Sequence, residues 1–136
     1  MTLRALGLAA LLLAPVPAPA WWAWNRHEVL PLGGGIYEVI GEPGSGAQDF
    51  WCAIGDYGIA RLGLPAVQRI YTWRGIGPSA ARPGRKAMQF ALAPPEGADT
   101  STPLTLSLTR VGDNLTAAAA RQYCYGNADP WERWWN

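Results

Sequence analysis

The chain has 136 residues, and its 11 Lys and Arg residues against 10 Asp and Glu residues leave a formal net charge of +1. A protein so close to neutral has no field that would steer it toward a polyanion, so we do not expect nucleic acid as a partner. The length supports a single domain with a hydrophobic core, and the absence of low-complexity sequence predicts that this domain is folded.

The N-terminus has the layout of a secretory signal. Arg4 precedes an apolar run over residues 5–16, and a small-residue cleavage motif, Ala-Pro-Ala, ends at Ala20. The run is shorter than the roughly 20 residues that a membrane-spanning helix needs. Cleavage two residues earlier would leave proline at the new N-terminus, so we predict a signal peptide over residues 1–20 and Trp21 as the first mature residue. An uncleaved anchor is the alternative. The expected location is the periplasm or the exterior, with no transmembrane segment after cleavage.

The rest of the sequence predicts one α+β domain over residues 21–126, followed by a tryptophan-rich tail over residues 127–136. Residues 36–40 are β-branched and aromatic, and they predict the first strand. Three further strands are predicted at residues 66–74, 86–92 and 104–109, the last from a strict alternation of Leu with Thr and Ser. Between the strands predicted at residues 66–74 and 86–92, residues 75–84 are rich in Gly and Pro and predict a long loop.

Two helices complete the predicted fold. Ser45 and Gln48 fit a capping box at the start of the first helix, and Gly63 suits its left-handed stop. Gly55 lies inside this helix, where it is unfavourable, so it predicts a close approach to another element. The second helix is predicted over residues 115–123, capped by Asn114, with a hairpin strand as the alternative. The expected fold is therefore a small antiparallel sheet of about four strands with both helices on one face.

The two cysteines, Cys52 and Cys124, are predicted to form a disulfide, because thiols in an exported protein meet an oxidising environment. A redox or metal-binding pair is the alternative. It is not favoured, because no C-x-x-C spacing is present and His27 is the only histidine. The predicted bridge would join the two helices over the sheet.

Four segments carry a resemblance, at residues 50–53, 70–79, 84–90 and 120–124. They resemble a group of small uncharacterised exported proteins of alphaproteobacteria, and the resemblance covers roughly residues 49–124. The group carries no established activity or ligand, so no site residue follows from it. The resemblance implies a bacterial source, hence a periplasmic address, and two cysteines that belong to the framework of the domain.

The best candidate for a ligand site is the Gly- and Pro-rich loop with its neighbouring cations. Backbone donors and guanidinium groups are what a phosphate or carboxylate ligand requires. The residues assigned to this site are Arg74, Ser79, Arg82, Arg85 and Lys86. The alternative is a solvated loop whose charges pair with nearby carboxylates. The order of residues is not that of a P-loop.

Other polar residues give weaker indications of chemistry. His27 could act as a base or metal ligand, but it has no second histidine, and a G-x-S-x-G serine motif is absent. We therefore expect a histidine at the surface or at a strand edge, and Ser45 as a helix cap. Asp49 and Asp56 share one face of the first helix. Paired carboxylates can act as acid and base, but the expectation here is a solvated helix face. No cofactor or metal is indicated.

Tryptophan is concentrated at the two ends of the mature chain. Of eight tryptophans, six lie there: Trp21, Trp22, Trp24, Trp131, Trp134 and Trp135. These indoles could pack on the domain, form a surface for a protein or sugar partner, or lie in a membrane interface. The other two, Trp51 and Trp73, lie inside predicted elements and are expected in the core.

These observations predict a non-enzymatic periplasmic binding or accessory protein that contacts an envelope protein or a glycan. The terminal tryptophans and the cationic loop would be its contact surface. The alternative is a small enzyme or anion-ligand-binding protein that uses the loop over residues 74–86.

Overall fold

The computed structural model describes residues 19–102 and 104–125, so most of the predicted signal peptide and all of the predicted C-terminal tail lie outside the described residues. The described part is α+β, as expected, with six strands and two α-helices. In chain order these are β1 (Trp21–Trp22), β2 (Glu28–Gly33), β3 (Ile36–Ile40), α1 (Ala47–Asp56), β4 (Arg69–Pro78), β5 (Lys86–Ala91), β6 (Asn114–Thr116) and α2 (Ala117–Gln122).

The strands form one antiparallel sheet in the order β1-β2-β3-β5-β4-β6. The prediction of about four strands is therefore wrong by two. The strand β1 has only two residues, too few to show an alternating pattern, and β2 contains Pro31, which lowers its apparent strand propensity. By contrast, β3 has the predicted bounds, and β5 lies within the strand predicted at residues 86–92.

The strand predicted at residues 104–109 does not form. Ile76 N donates to Leu108 O at 2.7 Å, but no further ladder develops in the described part of this segment, and Leu104 is fully exposed. Gly75 lets the segment lie close over β4, because a Cβ there would be 2.9 Å from Thr109 Cα. The neighbouring edge of β4 pairs instead with β6, and β4 itself extends to Pro78, into the predicted loop.

Helix α1 begins one residue later than the predicted capping box requires. Its N-cap is Gly46, whose N–H donates to Asp49 Oδ2 at 2.8 Å, so Ser45 is not the cap. The helix continues as a π-helical turn over Tyr57–Arg61, and Gly63 follows with φ 67°, which confirms the predicted left-handed stop.

The second helix is shorter than predicted, because residues 114–116 form β6. Thr116, rather than Asn114, is its N-cap, and Thr116 Oγ1 accepts from Ala119 N at 3.2 Å. The predicted disulfide joins Cys52 to Cys124, with Cα atoms 4.7 Å apart. At Gly55 an added Cβ would lie 2.4 Å from Arg121 N, which confirms the predicted close approach of the two helices.

Both helices contribute to one hydrophobic core on one face of the sheet. Phe50, Trp51 and Ile54 of α1 pack with residues of the strands, and the Trp51 and Phe90 rings lie 5.0 Å apart. Trp51 is thus buried, as expected. Trp73 is not: it is 36% exposed, because the pairing of β4 with β5 shifts register around it. No helix in the described ranges is long and apolar enough to cross a bilayer.

Candidate functional site

The sheet face opposite the helices carries a buried carboxylate at its centre. Glu38 lies in the middle of β3 and is fully buried. Its carboxylate accepts from Ser79 Oγ at 2.5 Å, from the backbone N–H groups of Ala80 and Ala81 at 2.9 and 3.1 Å, and from Gln89 Nε2 at 3.0 Å. Burial raises the pKa of Glu38, but these hydrogen bonds together outweigh burial and hold the pKa below its ordinary value.

Ser79 organises the loop that covers this carboxylate. Its hydroxyl donates to Glu38 and accepts from the N–H groups of Ala81 and Arg82, at 3.2 and 2.8 Å. The backbone is thus wrapped around the Ser79 side chain, and successive N–H groups point at Glu38. Such an arrangement is typical of an anion-binding loop, and here the anion belongs to the chain itself.

The arginines of the predicted ligand site also contact acceptors of the chain. Arg82 forms a two-pronged ion pair with Glu28, at 2.7 and 3.2 Å, which raises the pKa of Arg82. Arg85 Nη2 lies 2.8 Å from Glu42 Oε1. Arg74 Nη2 donates to Pro78 O at 2.8 Å and lies 3.8 Å from Glu38.

The structure therefore brings the predicted residues to one region, in the arrangement expected if the loop charges pair with nearby carboxylates. The Lys86 side chain is exposed beside them. A role for these five residues in binding an external ligand stays a prediction.

The N-terminal tryptophans divide into one that packs and two that are exposed. Trp21 packs edge-on against Tyr57, with ring centroids 5.4 Å apart. Trp22 is 60% exposed and Trp24 is 67% exposed, although Trp24 lies 5.7 Å from the Tyr125 ring. Trp131, Trp134 and Trp135 lie outside the described residues.

The acidic residues of α1 are not both solvated. Asp56 is buried, accepts from Trp24 N at 2.9 Å and forms an ion pair with Arg121 at 3.2 Å. It therefore fixes the turn after β1 to the helical layer, contrary to the expectation from the sequence. Asp49 lies in the first turn of α1, and its carboxylate accepts from the N–H of the N-cap residue Gly46.

His27 and Ser45, to which the sequence assigns no common role, are in contact in the structure. His27 directly precedes β2 and is only 6% exposed, so of the two positions expected for it the surface is wrong, and it lies at the end of a strand. Its Nε2 lies 2.7 Å from Ser45 Oγ, and its Nδ1 lies 3.1 Å from the carbonyl oxygen of Asn25. No short motif could reveal this contact, because the hairpin of β2 and β3 lies between the two residues.

Ser45 also lines a cavity of about 480 Å³. The turn over residues 41–45 forms one part of its wall, and residues 84–86 of the loop form another, with Phe50 and Ile76 also contributing. The cavity therefore presents a serine hydroxyl together with Arg85 and Lys86 from the predicted ligand site.

A second buried carboxylate, Asp113, is less well satisfied. It is almost fully buried, and neither carboxylate oxygen has a hydrogen-bond partner among the described residues, although Arg110 Nη1 lies 3.4 Å away. Burial raises the pKa of Asp113. Within the described ranges, no three His, Cys, Asp or Glu residues come together as a metal site.

Comparison with known proteins gives no further guidance, because no protein-family model, curated protein sequence or solved structure matches this chain.

Proposed function

We propose that this chain is an extracytoplasmic binding protein that contacts a protein partner through the exposed indoles of Trp22 and Trp24. The observation that carries the proposal is their exposure, 60% and 67% of each residue. Tryptophan is usually largely buried in a monomer, and it is among the residues that contribute most to binding when a partner covers it.

The surroundings of Trp22 support a protein partner. Trp22 is opposite Glu28 in the pairing of β1 with β2, and Glu28 is held by Arg82. An exposed aromatic group beside a polar pair has the composition of an interface, with an apolar centre and a polar rim. In the described part of the sheet, β1 is an edge strand, so its outer backbone groups can pair with a strand of another protein.

The charges around Ser79 and Arg82 weigh against an external anion bound at that part of the loop. An external phosphate or carboxylate would have to displace Glu38 from Ser79, or Glu28 from Arg82. Each displacement would leave a carboxylate of the chain without its partner, which is costly for a buried group. The disulfide and the absence of a spanning helix in the described ranges are compatible with an extracytoplasmic location.

The proposal is tested by partner capture with the full chain expressed in a bacterial host that exports it. Trp22→Ala with Trp24→Ala should reduce the amount of the captured protein at least tenfold, measured by quantitative mass spectrometry. Trp73→Ala is the matched control, because this tryptophan is also partly exposed but lies on β4. Equal capture by the double variant would contradict the proposal. Capture of a glycan instead of a protein would contradict the proposed protein partner and identify a glycan as the partner.

A further inference from the structure

The partners of His27 give the hydrogen bond between Ser45 and His27 one direction when the imidazole is neutral. The carbonyl oxygen of Asn25 can only accept, so the proton of a neutral imidazole lies on Nδ1, which is 3.1 Å from it. His27 Nε2 is then an acceptor, and Ser45 Oγ, 2.7 Å away, donates to it. Ser45 Oγ also accepts from Glu42 N at 2.9 Å, which agrees with its role as the donor toward His27.

This is the arrangement of an activated nucleophile, in which a base contacts the hydroxyl and a third group orients the base. The backbone carbonyl of Asn25 takes the orienting role. His27 packs against Phe50, with ring centroids 6.1 Å apart, and its burial restricts the ring to this one orientation. Ser45 is only half-buried, so the hydroxyl is the more accessible member of the pair.

The position of Ser45 supplies one further requirement of acyl chemistry, which is space for a substrate beside the hydroxyl. Ser45 lines the cavity of about 480 Å³, which is large enough for a small substrate.

The same cavity indicates the charge of the substrate. Arg85 and Lys86 line it together with one carboxylate residue, Glu42, and Arg85 is paired with Glu42. The excess positive charge favours a ligand that carries a negative group at one end.

We propose that Ser45 is a nucleophile, with His27 as its general base, for hydrolysis of a short ester whose acyl group ends in a carboxylate. Ser45 Oγ bonds to the ester carbonyl carbon while its proton passes to His27 Nε2. The carbon–oxygen bond to the alcohol breaks, and the departing alcohol oxygen takes that proton. Water then attacks the acyl-serine and gives a proton to His27. The acid leaves, and His27 returns the proton to Ser45 Oγ. This activity uses a different surface from Trp22 and Trp24, so its failure would leave the proposed function untouched.

The test treats the folded full chain with diisopropyl fluorophosphate and maps the adduct by peptide mass spectrometry. We expect one adduct, on Ser45, formed by release of fluoride. The same protein in denaturant is the first control, since it keeps the serine but loses the contact with His27. Absence of an adduct on Ser45 in the folded protein, or equally fast labelling of the denatured protein, would overturn the proposal.

Variants separate catalysis from a structural role of the pair. His27→Gln should slow labelling of Ser45 by roughly 10²-fold or more, the range for loss of a general base. Ser101→Ala, on an exposed segment that does not line the cavity, should label at the wild-type rate. Lys86→Gln should reduce hydrolysis of 4-nitrophenyl hemisuccinate more than hydrolysis of 4-nitrophenyl acetate. An unchanged ratio between the two esters would contradict the assigned substrate charge.

Discussion

The two faces of the sheet are stabilised by different physical effects. On the helical face, α1 and α2 bury an apolar core, and the Cys52–Cys124 disulfide joins α1 to the turn that follows α2. On the opposite face, a loop is held by hydrogen bonds and ion pairs to Glu38, Glu28 and Glu42. Apolar burial depends little on pH, whereas the loop depends on carboxylates that must stay ionised. The loop face also buries a small apolar cluster of Leu30, Ile40 and Ala87. We nevertheless expect the larger core on the helical face to contribute most of the stability, and Glu38 on the loop face to make stability depend on pH.

The largest expected effect is on the helical face. Trp51→Ala removes the largest fully buried side chain among the described residues and leaves a cavity beside Phe90. We expect the free energy of unfolding to fall by about 3–5 kcal/mol. Trp73→Ala is the matched control and should cost less than about 1 kcal/mol, because Trp73 is partly exposed. Urea unfolding followed by circular dichroism measures both, and equal losses would contradict the assignment of the core to this face.

The disulfide gives the next largest effect. Reduction frees two chain segments that are 72 residues apart in sequence, which increases the entropy of the unfolded chain. Stability should fall by about 2–4 kcal/mol. Urea unfolding with and without a reductant measures the loss. A reduced protein as stable as the oxidised one would show that packing of α1 on α2 suffices without the bridge.

A smaller effect is expected at the centre of the loop face. Glu38→Gln removes the charge from a buried acceptor of four hydrogen bonds and places an amide donor against Ser79 or the loop N–H groups. We expect a loss of about 1–3 kcal/mol and faster amide hydrogen exchange at Ala80 and Ala81. Glu42→Gln is the matched control, because its pair with Arg85 is exposed, and it should cost no more than about 1 kcal/mol.

The smallest expected effect is the dependence of the free energy of unfolding on pH. It tests selectively whether ionised Glu38 stabilises the loop face of the sheet. The pKa of Glu38 is lower in the folded than in the unfolded state, since its hydrogen bonds outweigh burial. Glu38 therefore stabilises the fold above the pKa of the unfolded state, and this contribution is lost as the pH falls through the folded pKa.

The measurement compares wild type with Glu38→Gln in thermal unfolding from neutral pH to about pH 3. Wild type should lose more stability than the variant over this interval. Asp113, whose pKa burial raises, acts in the opposite sense, but it is present in both proteins and largely cancels in the difference. Parallel pH profiles would contradict the role assigned to Glu38.

Local patterns predicted the elements whose residues carry strong, uninterrupted signals. The bounds of β3, the stop of α1 at Gly63 and the disulfide all follow from the residues themselves. Local patterns do not predict the elements whose formation depends on contacts between residues distant in sequence. The alternating segment at residues 104–109 forms no strand, because the edge of β4 pairs with β6 instead. The strand β1 has only two residues, too few to show any periodicity.

In the candidate sites, too, local sequence predicts some residues, and others are recognisable only from long-range contacts. The loop cations could be found from composition, but Glu38 could not be recognised as their acceptor, because in sequence it is one polar residue within a strand. The sequence indicates a helix cap at Ser45 and a surface or strand-edge position for His27, and only the path of the chain through β2 and β3 brings the two residues into contact. The exposure of Trp22 and Trp24 likewise follows from the fold, since the adjacent Trp21 is packed.

The central claim is that Trp22 lies in a surface that binds a protein partner. The most direct measurement places the photoreactive residue p-benzoylphenylalanine at position 22 in one full-length chain and at position 73 in another, both exported in cells. Irradiation should give one defined protein adduct from position 22, and no such adduct from position 73. Absence of any adduct at position 22, or the same adduct from both positions, would contradict the claim.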